Sequence, residues 1–153
     1  MSKSCCSAGN VLIFACSGGS NVGQLTNEIG KRLHEEGYGK LFCLAGIGGG
    51  IASMIATTRQ AEFIVALNGC PIACAKATLE RAELPVSCNV LLTELGIAKE
   101  PNLAFSQEQA DSAYEKVVSV ITAPFACTRV SSVASDSDSS CVCDCDNCGE
   151  GQE

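Results

Sequence analysis

The chain has no tryptophan, a single histidine, four prolines in 153 residues and only 5% aromatic residues. That histidine, His34, stands at the end of a helical segment beside Glu35 and Glu36, which predicts an exposed side chain. With one such histidine, neither a Cys–His catalytic pair nor a Ser–His–Asp triad can be assembled. Basic residues are also scarce: ten Lys and Arg against seventeen Asp and Glu. No basic stripe exists, so nucleic acid and an anionic membrane surface are both excluded as expected partners. No apolar run reaches the roughly 20 residues that a membrane span requires. Residues 1–10 contain no apolar core of a signal peptide, so the expected compartment is the cytoplasm.

What the chain has instead is cysteine, twelve in all. A secreted disulfide scaffold would be shorter and poorer in aliphatic strands. Here Cys16, Cys43, Cys70, Cys74 and Cys88 lie in or at the ends of aliphatic runs. In a reducing compartment, that favours metal binding or thiol chemistry over structural bridges. Negative charge is concentrated at one end. Six of the seven net negative charges come from acids after residue 130, where no Lys or Arg occurs.

Three segments are expected: a flexible N-terminus over residues 1–10, one α/β domain over 11–129, and a disordered acidic tail over 130–153. Residues 11–16, 40–45, 62–67 and 86–92 read as strands. Helical spacing covers residues 22–36, 51–60 and 73–82. A final helix covers residues 106–121, opened by Ser106 with Gln109 at capping-box spacing. Residues 95–101 read as a loop. Apolar strands alternating with helices predict a three-layer parallel sheet of four or five strands, with helices on both faces. The expected order is flavodoxin-like, with the first strand between the second and third.

That order would bring cysteines together. Cys16 ends the first strand, Cys43 lies late in the second, and Cys70 and Cys74 follow the third. In a parallel sheet all four would gather at the carboxyl edge, where such sheets bind ligands. Pro71 at a first helical position would make Cys70 the N-cap and put Cys74 one turn further in. The helix field there favours negative charge on sulfur, the form that binds metal or attacks an electrophile. Four sulfurs suit Zn2+. The spacings match neither common ferredoxin pattern.

These pieces also resemble a known family. Phe14-Ala15-Cys16-Ser17-Gly18, Phe42-Cys43-Leu44-Ala45-Gly46-Ile47-Gly48-Gly49 and Asn68-Gly69-Cys70-Pro71-Ile72-Ala73-Cys74 occur in the order seen in the DGC domain family of zinc-binding proteins, which is mostly prokaryotic. The resemblance spans roughly residues 11–121. It implies Cys16, Cys43, Cys70 and Cys74 as zinc ligands. One departure is that Asn68 stands where the family carries its name-giving acid. An acid acting as ligand or base would be missed there, whereas an acid that caps the turn is replaced equally well by Asn.

The expected function is therefore zinc binding at a four-cysteine site, in the handling of a metal ion or metalloid. The alternative is a thiol or persulfide enzyme with Cys70 or Cys74 as nucleophile. In the tail, Cys141, Cys143, Cys145 and Cys148 form a C-x-C-x-C-x-x-C cluster able to hold a second soft ion, outside the resemblance. Cys88, at period-two spacing with Val86 and Val90, reads as core. Cys5, Cys6 and Cys127 receive no role. Cys16 to Val22 is shaped like a phosphatase loop but ends in valine where such a loop needs arginine. The run Gly46 to Gly50 reads as a flexible turn, since the full dinucleotide fingerprint is not met.

Overall fold

In a computed structural model, residues 10–128 are described, with side chains to residue 123. The expectations for the N-terminus, for the tail with Cys141, Cys143, Cys145 and Cys148, and for the side chain of Cys127 lie outside the described residues. The elements are β1 (Val11–Ala15), α1 (Asn21–Glu35), β2 (Lys40–Leu41), α2 (Leu44–Gly48), α3 (Ala52–Arg59), β3 (Phe63–Asn68), α4 (Cys74–Arg81), β4 (Cys88–Leu91) and α5 (Gln107–Thr128).

The four strands form one all-parallel sheet in the order β2-β1-β3-β4. The first strand thus lies between the second and third, as expected. A fifth strand, which would complete a flavodoxin-like order, does not occur among the described residues. Every residue of β1 is buried, because the strand has a neighbour on each side and helices above and below. Its side chains alternate between two cores, as the strand period of two requires. Val11, Ile13 and Ala15 pack with Leu25, Ile29 and Leu33 of α1 and with Ala113, Val117 and Ile121 of α5. Leu12 and Phe14 pack on the other face with Ile47 of α2 and with Ala75 and Leu79 of α4. Each fully buried aliphatic or aromatic side chain here contributes roughly 1.5–3 kcal/mol.

Two elements depart from the sequence reading. The second strand is expected over residues 40–45, but β2 stops at Leu41. It is an edge strand held by β1 alone, so nothing rewards its continuation. Gly46 to Gly48 of the glycine run then form helix, and the turn is left to Gly49 and Gly50. Gly46 is buried in α2 against Met54, and the chain leaves the left-handed conformation to Gly50 at φ 71°. The final helix runs seven residues past its expected end at 121. Its start is as predicted: Ser106 Oγ accepts from Gln109 N–H at 3.1 Å, and Ser106 N–H donates to Gln109 Oε1 at 2.9 Å.

Candidate functional site

Cys16 sits one residue past β1, where its N–H still donates to Leu67 O at 3.0 Å. Its half-buried Sγ lies 3.4 Å from Thr26 Oγ1. The Thr26 hydroxyl already donates to Gly23 O at 2.7 Å, so the sulfur carries the hydrogen in this contact. Ser17, immediately after, is left-handed at φ 46°.

The loop from β3 to α4 carries the next two thiols. Asn68 is almost wholly buried, at 1% exposure. Its Oδ1 accepts from Ala75 N–H at 2.8 Å, and its Nδ2 donates to Asn89 Oδ1 at 2.8 Å. Asn68 therefore caps α4 from a distance. Cys70 is not the helix N-cap that the sequence predicts. Its carbonyl accepts from Ala73 N–H at 3.0 Å, closing a turn over Pro71 and Ile72. The helix starts only after left-handed Ala73, at φ 51°, with Cys74 as its first residue. Among the described residues, two of the three non-glycine residues with positive φ adjoin site cysteines. Such strain persists where surrounding structure over-determines the backbone, commonly at functional sites.

Cys43 is also displaced from its expected place. It does not lie in β2 but is the exposed N-cap residue of α2. Phe42 anchors it: the ring meets Phe14 edge-on at 5.8 Å, and Phe42 N–H donates to Ile13 O at 2.8 Å.

Two neighbouring cavities join these thiols. The larger, about 560 Å³, is lined by Cys16, Cys43 and Cys74. The smaller, about 210 Å³, is lined by Cys16, Cys70 and Cys74. Cys16 and Cys74 belong to both, so all four predicted cysteines border one continuous rim at the carboxyl edge of the sheet. Cys43 and Cys74 are exposed; Cys16 and Cys70 are half-buried. Among the described residues, no group of three or more His, Cys, Asp or Glu already stands together as metal ligands do. Neither cavity wall includes histidine or a carboxylate, so cysteine is the one side chain on them that can bind a metal ion as an anion.

The close approach of the loops depends on glycine. A Cβ on Gly69 would stand 2.8 Å from the Val22 carbonyl carbon, and one on Gly23 would stand 2.5 Å from Gly18 O. Both clashes are with backbone, which cannot swing aside. Glycine thus lets the Cys70 loop pack onto the start of α1.

The sequence reading misses Lys99. Its Nζ donates to Cys70 Sγ at 3.5 Å, across 29 residues. Buried Asn21 holds it there: Asn21 Nδ2 donates to Ala98 O at 2.9 Å, and Glu100 N–H donates to Asn21 Oδ1 at 2.7 Å. A lysine in an unpatterned loop gives no signal in the sequence. Cys88 is buried in the core as expected, and burial pushes its thiol up. His34 is exposed as predicted, with Nδ1 3.2 Å from Gly39 O.

The family model of the DGC domain matches residues 12–117. The chain is 32% identical over 111 residues to the "Anaerobic and virulence modulator AnvM" of Pseudomonas aeruginosa strain PAO1, covering 72% of this chain and 85% of that protein. No solved structure matches the chain. Among the described residues, no helix is long and apolar enough to cross a membrane.

Proposed function

The chain belongs to the DGC domain family, and on that premise we propose that it binds a thiophilic metal ion or metalloid at its cysteine rim and hands it on. The reading rests on one observation: Cys16 and Cys74 line both cavities, so Cys43 on one side and Cys70 on the other share two partners. Zn2+ is the ion this donor set suits first, held by Cys16, Cys70 and Cys74 with Cys43 as fourth ligand. Trivalent arsenic, which prefers three sulfurs, is the competing cargo. Exposure of Cys43 and Cys74 favours exchange over a closed structural site. The tail cysteines 141, 143, 145 and 148, with their neighbouring acids, serve in this reading as a collecting arm. A regulatory role coupled to ion occupancy is compatible with the name of the Pseudomonas relative, a modulator.

Zinc titration of the full chain, reduced and stripped with chelator, against a chromophoric competitor tests the proposal. Cys16→Ser and Cys74→Ser should each weaken zinc binding at the rim by at least about tenfold. Serine at the four tail cysteines should remove a separate, second class of site. Zinc binding by C16S and C74S equal to wild type would overturn the proposed site.

A further inference from the structure

We propose that Cys70 accepts a sulfane sulfur from a low-molecular-weight hydropersulfide, becoming a cysteine persulfide held beside Lys99. This is an activity separate from ion binding, although it uses one of the same thiols.

Cys70 differs from the other rim cysteines in its surroundings. Among the described residues it alone receives a hydrogen bond from a cationic side chain, Lys99 Nζ at 3.5 Å. Cys43 and Cys74 are more exposed but have no such neighbour. Beside Cys70 lies the 210 Å³ cavity, walled by Gly18, Gly19, Cys16, Cys74 and Lys99. It is large enough for one added sulfur. The N–H groups of Gly18 and Gly19 have no acceptor among the described residues. Lys99 supplies a charged donor to a sulfur at this position, and Gly18 and Gly19 line the same cavity.

The step needs no external oxidant, because the incoming sulfur arrives already at the sulfane level. Cys70 sulfur bonds to the outer sulfur of R–S–SH, and the S–S bond of the donor breaks. The electron pair goes to the departing R–S, which takes the proton released from Cys70. The products are Cys70–S–SH and R–SH. This is thiol exchange with a persulfide in place of a disulfide, and it yields one of the reversible caps known for cysteine. Cys16 and Cys74, on the same wall, are the next thiols the sulfane sulfur can reach.

The test uses the full chain, reduced, freed of metal and dosed briefly with cysteine hydropersulfide. Alkylation, digestion and mass spectrometry then read, thiol by thiol, the gain of one sulfur atom. Cys70 should gain it about tenfold faster than Cys43, the effect of one hydrogen bond to a charged group. Lys99→Met should bring Cys70 down to the rate of Cys43 and leave Cys43 unchanged, while Lys99→Arg should keep most of the preference. Lys99 is exposed, so these variants leave the core intact. Equal rates at Cys43, Cys70 and Cys74, or an unaltered Cys70 in the methionine variant, would overturn the proposal. Zinc titration of the same preparation separates it from the metal reading: selective Cys70 persulfide without zinc uptake sinks only the latter, and zinc uptake without Cys70 selectivity sinks only the former.

Discussion

Asn68 carries more of the site than any cysteine does, because it fixes where the cysteines stand. One end of its buried amide holds Ala75 N–H in the first turn of α4, and the other holds Asn89 on β4. The choice between ligand and cap that the sequence leaves open is decided by this geometry, since both polar atoms of the side chain are already committed. Asn68→Ala leaves Ala75 N–H unpaired in a buried place and Asn89 Oδ1 unpaired in a part-buried one, which costs about 2–6 kcal/mol at about 1–3 per group, toward the lower end because water can reach Asn89. Asn68→Asp restores the family's acid and should cost less. The carboxylate still accepts from Ala75, sits favourably at a helix start, and needs only a turned Asn89 amide as its second donor. Urea denaturation of the two variants checks the order. An aspartate variant less stable than the alanine variant would mean that Asn89 cannot turn.

Left-handed Ala73 is the point where local preference and the element it starts disagree. An L-residue in that conformation costs roughly 1–2 kcal/mol, and glycine does not carry the penalty. Ala73→Gly should therefore raise stability, by about 0.5–1 kcal/mol once the greater freedom of glycine in the unfolded chain is subtracted. A measured loss of stability would show that the alanine methyl contributes packing that outweighs the strain. The same element explains what the sequence could and could not reveal. β1 and β3 were legible because burial on both faces forces unbroken apolar runs, and α1 because Val22, Leu25, Ile29 and Leu33 repeat at helical spacing. Ser106 and Gln109 announced α5 through a local bond pair. The N-cap of α4 was misplaced by three residues, at Cys70 instead of Ala73, because Cys70 O, not a side chain, captures Ala73 N–H. α2 was missed because a five-residue helix with two glycines has no intrinsic preference to read. It forms because Ile47 is buried against α4 and Gly46 admits Met54. Cys43 moved with it, and Lys99 reached Cys70 only because distant Asn21 clamps its loop.

The molecule divides its labour between the two ends of the sheet. The four rim thiols occupy the carboxyl edge, while the charged contacts between α1 and α5 lie toward the end of α1, at the amino edge. Arg32 there bridges Glu28 at 3.2 Å and Asp111 at 2.6 Å, and Tyr114 donates to Glu36 at 2.6 Å. Hydrogen bonds from Lys31 and Arg32 hold Glu28 low, and those from Arg32 and Gln107 hold Asp111 low. Groups depressed in the folded state contribute fully above their unfolded values, near pH 4, and lose that contribution as the pH falls through the folded values. Tyr114 is shifted the other way: burial first, then its bond to Glu36, push the phenol far up. Its contribution is complete below about pH 10, where the unfolded phenol ionises, and is lost as the pH rises beyond that. Cys88, raised by burial, begins the same loss earlier, from about pH 8.5. Stability should therefore be flat between about pH 5 and 8 and fall on both sides. Tyr114→Phe should lower the plateau by about 1 kcal/mol, the net value of one hydrogen bond. It should also flatten the fall above pH 10 and leave zinc uptake at pH 7 as in the parent, because the rim is built by other loops. Urea denaturation across pH, with zinc titration at neutrality, reads all three. An alkaline fall as steep in the phenylalanine variant as in the parent would assign that limb to thiols, and a changed zinc affinity would mean that the two ends of the sheet are coupled.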